Sequence, residues 1–463
     1  MLANPQPYIV IGYPGGTRLA CDADSLATEP VAADDVSVSW GRDEYLSHSE
    51  PATMTFAVLD RTGQYAGKVS RNELIGVQVQ LLAEIPAQGW LRRIFWGRIT
   101  SAKARPDVPD PYSTDPRETV WRIDITASDK TADVAQAIHG PGWWPEETAV
   151  NRAVRLRNML TAANVGVGQL YFYPQHQSSI MYALEVNDRD GLSLLKDFYM
   201  SMGDTYSYLC HENNVRYVHR RNYAVTARLY RDADGVVRMR ASDYTFDGQT
   251  YRGVGIEACE VTTSSDVTEV SPQSAITRVE MTWKVTTANG DPEHVTVVVA
   301  DEIPETARGR RTLTVTSWLG DGLQVDPVCL ELLNRGRYEG SMPRHPEIIV
   351  DTGVSGGFHS LAEAESLLMG GETQGVVYVS GSRYTRWSWI SPFYGMIGGT
   401  IQYVEGRWLI ACKLVSFGPG RDGGGTQVRW NTIAQSLTWG ELSDSFTFYD
   451  AAFLTNGTVY TSN

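Results

Sequence analysis

Asp35-Val36-Ser37-Val38-Ser39-Trp40-Gly41-Arg42 alternates apolar and polar side chains and stops on an aromatic-Gly-Arg step. A period of two sends successive side chains to opposite faces of an extended chain, so this stretch is a strand with one buried face. The same period returns in Thr53 to Leu59, Val77 to Leu81, Trp121 to Ile125 and Val215 to Val218. The closing step also returns, as Phe95-Trp96-Gly97-Arg98-Ile99. A glycine placed there marks a bulge or a close approach of two backbones. The fold that these strands predict is mainly β.

Working outward, the 43 glycines, 13 tryptophans and 23 tyrosines fit many short strands and turns. The 463 residues are 42% hydrophobic and 20% charged, which excludes a disordered chain and a collagen-like fibre. That length predicts about three or four domains. Forty Lys plus Arg stand against 54 Asp plus Glu, a net charge of −14. A reader of nucleic-acid sequence needs a basic stripe, so that class is excluded, whereas an acidic wall suits something that DNA must pass without sticking. Met1 to Val10 has neither a basic start nor an apolar run, and no apolar run of about 18 residues occurs, so the expectation is a chain kept in the cytosol with no membrane span. The five cysteines, Cys21, Cys210, Cys259, Cys329 and Cys412, are scattered singly and read as small buried hydrophobes.

Breakers divide the strands. Arg105 to Arg117 carries Pro106, Pro109, Pro111 and Pro116 and predicts a surface loop rather than a central strand. Gly140 to Pro145 marks a change of character. After it, Ala149, Ala153, Leu156, Leu160 and Ala163 share one face of a helix, with Glu146 and Glu147 at its positive end and Arg152, Arg155 and Arg157 expected on the solvent side. A second helix begins near Leu192, followed by a hairpin about Asn213-Asn214. Strands return in Ile276 to Val285, His294 to Ala300 and Arg311 to Trp318, with a short helix at Val328 to Leu333 and a strand at Ile348 to Val350. Ser360 and Glu363 form a capping box for a further helix, and strands follow at Val376 to Ser380, Thr400 to Val404, Trp408 to Leu414 and Gln427 to Trp430. The expected division is 1–140, a β domain; 141–255, an α+β domain; 256–350, a second β domain; and 351–463, a β-rich C-terminal domain.

Enzyme chemistry finds little support. Gly353-Val354-Ser355-Gly356-Gly357 satisfies the nucleophile-elbow pattern, yet the expected helix starts about five residues late and His359 is too close to arrive from a separate loop. A glycine-rich turn is the simpler account. His211 and His219 flank the hairpin with no third ligand near, and are expected as a hydrogen-bonded surface pair rather than a metal site. Asp232 to Gly235 lacks the closing glutamate of a calcium loop and reads as a hairpin turn. Gly12 to Thr17 lacks the lysine of a phosphate loop and reads as a tight turn. No catalytic, cofactor-binding or metal-binding residues are assigned. Trp387 and Trp389, beside Arg383 and Arg386, suit either stacking on a sugar or a base or burial at a subunit contact.

Taken together, Asp35 to Arg42, Glu50-Pro51-Ala52-Thr53 leading to Leu59-Asp60, and Phe95 to Ile99 resemble the opening of the minor tail proteins of actinobacterial siphophages, the baseplate hub or tail-tip family. Ile123 to Ala137 and Leu192 to Arg220 resemble that family's middle segments. Ser391-Pro392, Ile397-Gly398-Gly399-Thr400, Gly406-Arg407-Trp408 and Trp439 to Leu442 resemble its C-terminus. The resemblance implies two tube-like β-barrel domains per subunit, with α+β and β-rich peripheral domains, in a ring that is usually a trimer. It implies a homo-oligomer at the virion's tail tip, assembled in the host bacterial cytoplasm, touching the distal tail protein, the tape measure protein and other minor tail proteins. DNA would transit without sequence-specific binding. Trp40, Gly41, Arg42, Trp96, Gly97 and Arg98 are then candidate interface or core anchors, with Arg42 and Arg98 available to acidic groups of a neighbour. Alternatives are the hexameric distal tail ring protein, a carbohydrate-binding adhesin gripping through Trp387, Trp389 and Trp408, and, remotely, an esterase using Ser355.

Overall fold

A computed structural model describes residues 6–203 except 13–14, 22, 34, 43–45, 86–89, 116–117, 139–141, 171 and 173–175. Beyond 203 it describes 206–211, 214–219, 225–231, 237–241, 244–246, 249–251, 259–263, 276–286, 292–300, 311–320, 325, 327–330, 332–333, 348–351, 376–379 and 393–416. The chain is mainly β with a helical insertion. The first sheet comprises β1 (Gln6–Ile11), β2 (Thr17–Ala20), β3 (Val31–Ala32), β4 (Asp35–Gly41), β5 (Glu50–Asp60), β6 (Gln78–Ile85), β7 (Trp90–Pro109) and β8 (Thr119–Asp129), in the order β2-β1-β6-β7-β8-β5-β4 with β3 beside β5. The alternation seen in sequence decides its faces: Val36, Val38, Met54, Phe56, Val79, Leu81, Ile123 and Ile125 all point into one core. Helix α1 (Gln64–Ser70) adds Tyr65 to that core.

The proline-rich stretch departs from expectation. β7 continues through it, pairing Pro106 with Trp121 and Pro109 with Thr119, with the register shifting between them. The physical reason lies in which edge is used. β6 pairs with β7 only as far as Arg98, and Ile99 still bonds Val77 and Gly76 just before β6, but at Pro106 and Pro109 the ladder of β7 runs to β8. A missing proline N–H is tolerated on the free edge of a strand.

Between the β bodies sits the helical unit: α2 (Thr131–Gln136), α3 (Ala149–Ala162) and α4 (Gly191–Ser201), with two-residue strands β9 (Trp143–Trp144), β10 (Glu147–Thr148), β11 (Ile180–Met181) and β12 (Leu184–Glu185). Thr148 caps α3 by accepting the Asn151 N–H, and Asp190 caps α4 by accepting the Ser193 N–H at 2.8 Å. Ala149, Ala153, Leu156 and Leu160 are buried on the expected face of α3, packed with Leu194, Leu195 and Phe198 of α4. Arg152 is buried with them rather than on the solvent side.

Among the described residues that follow, 325, 327–330 and 332–333 are helical, where the short helix at Val328 to Leu333 is expected, and the strands are β13 (Tyr206–His211), β14 (Asn214–His219), β15 (Val225–Arg231), β16 (Val237–Ala241), β17 (Tyr244–Phe246), β18 (Gln249–Tyr251), β19 (Cys259–Thr263), β20 (Arg278–Thr286), β21 (Pro292–Ala300), β22 (Thr312–Thr316), β23 (Ile348–Asp351), β24 (Val376–Val379), β25 (Phe393–Val404) and β26 (Arg407–Ser416). β20 lies between β21 and β22 in a separate three-stranded sheet. Following hydrogen-bonded neighbours from β25 leads through β24, β15, β16, β19, β23 and β26 and back to β25. That is a closed circuit, which leaves those strands no open flank where they pair. Its pairings cross the limits at 255 and 350 drawn from the sequence.

β25 belongs to both bodies. Val376 to Tyr378 of β24 pair with its first residues, while Asp35 to Gly41 of β4 pair with Val404 to Gly398 farther along the same strand. The hairpin β25–β26 turns on Glu405 and Gly406, both at positive φ (50° and 77°), the tight turn whose twist matches paired strands. Its side chains Ile401, Tyr403, Trp408 and Ile410 complete the core of the first sheet. Trp408 is 0% exposed and packs edge-on to Tyr403 at 5.2 Å.

Candidate functional site: the strand junction and its surroundings

The two aromatic-Gly-Arg steps stand at different places. Trp40-Gly41-Arg42 ends β4 where it meets β25, and there the motif from the beginning of the chain lies on Ile397-Gly398-Gly399 from its end. Gly41 pairs with Gly398, and the Arg42 N–H donates to the Ile397 carbonyl at 2.8 Å. Gly41 has φ +95°, and a Cβ on it would lie 2.2 Å from the Gly398 Cα. Glycine is therefore required twice over, for conformation and for space. Opposite Trp40, a Cβ on Gly399 would lie 2.5 Å from the indole ring, so the missing side chain is the seat of the tryptophan. Trp40 is partly buried against the first core, and Arg42 is 7% exposed, inside this chain.

Trp96-Gly97-Arg98 lies mid-way along β7. Gly97 pairs with Asp129, and a Cβ on it would lie 2.1 Å from the Ser128 carbonyl oxygen. Trp96 is 5% exposed on the face opposite the core, with the Arg93 guanidinium 5.6 Å and the Lys130 ammonium 5.7 Å from its ring. Cations at that range are attracted by the ring's electron-rich faces. Arg98 reaches Asp133 of α2 at 3.5 Å and stays 42% exposed. The structure thus brings the first motif together with the C-terminal motif and keeps the second one separate.

A centre that sequence reasoning missed lies in the helical unit. Arg152, fully buried, donates from Nε to Glu147 at 2.8 Å and from Nη2 to the carbonyls of Pro145 and Tyr182 at 2.9 Å each. Its guanidinium lies 5.5 Å from the rings of both Trp144 and Trp318. Arg155 donates to both oxygens of the same Glu147. Burial by itself would raise the Glu147 carboxyl, but the bonds from Arg155 and Arg152 outweigh it and hold the group below its ordinary value. Burial likewise lowers Arg152 from the usual arginine value. The spacing held the signal: 152 follows 149 by three and precedes 156 by four, so it shares the buried face. Trp318, two residues past the end of β22, is tied to α4 by its backbone N–H, which donates to the Ser201 hydroxyl at 2.8 Å. Next to this centre, Ile138 and Trp143, each 65% exposed, line an apolar groove with Met159.

The chemical candidates do not converge. In the β13–β14 hairpin His211 pairs with Asn214 and His219 with Tyr206, which places the histidines at opposite ends, not side by side. Five residues of strand separate them, about 16 Å. Among the described residues no group of three His, Cys, Asp or Glu is placed to hold a metal. Cys21, Cys329 and Cys412 are buried. Among the described residues no helix is long and apolar enough to cross a membrane. Ser355, His359, the capping box at Ser360, Trp387, Trp389 and the strand expected at Gln427 lie outside the described residues. Trp408 is core and presents nothing to a sugar.

No protein-family model matches the chain, and no curated protein matches it. Among the solved structures that the chain is similar to are three tail proteins. The tail protein of Neisseria meningitidis MC58 is 11% identical, with 88% of this chain and 96% of that one covered at a TM-score of 0.46. The 43 kDa tail protein of prophage MuSo2 from Shewanella oneidensis is 8% identical, over 89% and 98%, at 0.48. A prophage tail protein from Listeria monocytogenes EGD-e is 12% identical, over 90% and 95%, at 0.43.

Proposed function

We propose that this chain is a structural, non-catalytic subunit of a bacteriophage tail tip, the trimeric baseplate hub that closes the tail tube and lets DNA pass at ejection. One observation carries the reading. The two segments that resemble the hub family at opposite ends of the sequence, Trp40-Gly41-Arg42 and Ile397-Gly398-Gly399, meet in one ladder. Their meeting ties the first sheet to a closed seven-strand circuit through the shared strand β25. Two β bodies fixed side by side in each subunit are what a threefold ring needs in order to continue a sixfold tube. Closure of such a ring covers sheet edges that would otherwise pair at random. The acidic balance of the chain keeps DNA from adhering to the wall.

The partners in this reading are two further copies, the distal tail protein above, the tape measure protein within and other minor tail proteins around the rim. It places the chain in the virion after assembly in the host cytoplasm. Native mass spectrometry of the purified chain, with and without the distal tail protein, tests it: three copies per ring support the hub. Six copies would make it the distal ring protein, and a monomer at all concentrations would remove the ring altogether.

A further inference from the structure

At the far end of the first sheet, past the prolines of β7, a cleft of about 490 Å3 opens between the segment before β3 and the link from β7 to β8. Its wall includes Thr28, Glu29, Arg61, Asp110, Glu118 and Trp121. We propose that this cleft is a binding site for a neutral saccharide, a function independent of the assembly to which the chain belongs.

The wall is built before any ligand arrives. Arg61 donates from Nε to both oxygens of Asp110, at 2.9 and 2.7 Å, and from Nη1 to the Ala27 carbonyl at 2.7 Å. Asp110 also accepts the Tyr112 N–H at 2.9 Å, and its own N–H donates to the Glu118 carbonyl at 2.9 Å. Burial would raise the Asp110 carboxyl, but the bonds from Tyr112 and Arg61 hold it below the usual value, so the pair stays charged and fixed. A fixed wall lowers the ordering cost of binding.

What remains unused in the cleft sets the ligand. Among the described residues the Nη2 amino group of Arg61 and the carboxylates of Glu29 and Glu118 have no partner. The Thr28 hydroxyl donates to Ser25 and keeps its lone pairs. Trp121, which also packs against the first core, supplies an indole to the lining. With Arg61 and Asp110 cancelling, the two free glutamates leave a surplus of negative charge that turns away phosphates, carboxylates and DNA. A small set of donors and acceptors beside one indole, in a volume of this size, fits a ring that carries hydroxyls on its edge and C–H groups on its face.

The test is titration of the full chain with chitotriose and with maltotriose, followed by saturation-transfer NMR and calorimetry. The variants are Glu29→Ala and Glu118→Ala, both at exposed positions, each checked by its unfolding curve against the parent chain. The expected result is saturable millimolar binding of at least one trisaccharide, weakened about tenfold by each variant, a loss of about 1.4 kcal/mol. Absence of saturable binding of both sugars up to about 20 mM, binding untouched by both variants, or saturation by arginine amide in place of either sugar would overturn the proposal.

Discussion

Two tripeptides that read alike, Trp40-Gly41-Arg42 and Trp96-Gly97-Arg98, are put to different use by the fold. The first sits where the beginning of the chain meets its end. Its glycine is left-handed and lies on Gly398, its tryptophan covers Gly399, and its arginine is enclosed. The second sits inside a ladder of neighbouring strands. Its glycine makes room for the Ser128 carbonyl, its tryptophan lies on the outer face between cations, and its arginine is half exposed. The first joins two β bodies and the second trims one. Identical chemistry acquires a long-range role only where a partner segment lacks the side chains that would keep it away.

The difference can be broken by one methyl group at each site. Gly41→Ala should cost about 4 to 6 kcal/mol, the upper ends of left-handed strain and of overpacking added together. Urea unfolding should then split into two transitions as the first sheet separates from the circuit. A single transition with unchanged midpoint would show that the junction does not couple the two bodies.

Arginine burial sharpens the same contrast. Glu147→Gln leaves Arg152 enclosed without its counter-charge and should cost about 3 to 5 kcal/mol, seen as early melting of the helical unit. Acid should act in the same direction. The folded Glu147 carboxyl titrates below its unfolded value, so its contribution is complete above the unfolded pKa near 4.5 and is lost as pH falls through the lower folded one. Loss of helical signal on acidification should therefore be shallower in Glu147→Gln than in the parent chain.

Smaller effects belong to the second tripeptide. Gly97→Ala should cost about 2 kcal/mol, because φ is ordinary there and only the Ser128 backbone and the Phe95 ring must give way. Its unfolding should remain a single step. Arg98→Ala should cost under about 1 kcal/mol, since a half-exposed pair with Asp133 is screened by water.

Much of this was legible from local pattern. Alternation in Val36 to Trp40 and Thr53 to Leu59 marked real strands, and the spacing of Ala149, Leu156 and Leu160 marked α3. Prolines 106 and 109 hid the end of β7, because a proline forbids a bond on one side only and the sequence does not say which side is free. Arg152 was misplaced by its charge although its spacing matched the buried face. Pairing of Asp35 to Gly41 with Gly398 to Val404 had no local signal, since register between distant strands is fixed by the core they share. Gly41, Gly398 and Gly399 were its trace in the sequence.

The central claim, that this polypeptide acts by shape as one wedge of a tail-tip ring, is tested most directly by symmetry-resolved cryo-electron microscopy of intact tails. Three copies forming a single ring at the end of the tube, each contributing both β bodies to the wall, is the predicted result. Absence of the chain from mature particles, or its presence as isolated copies away from the tube axis, would contradict it.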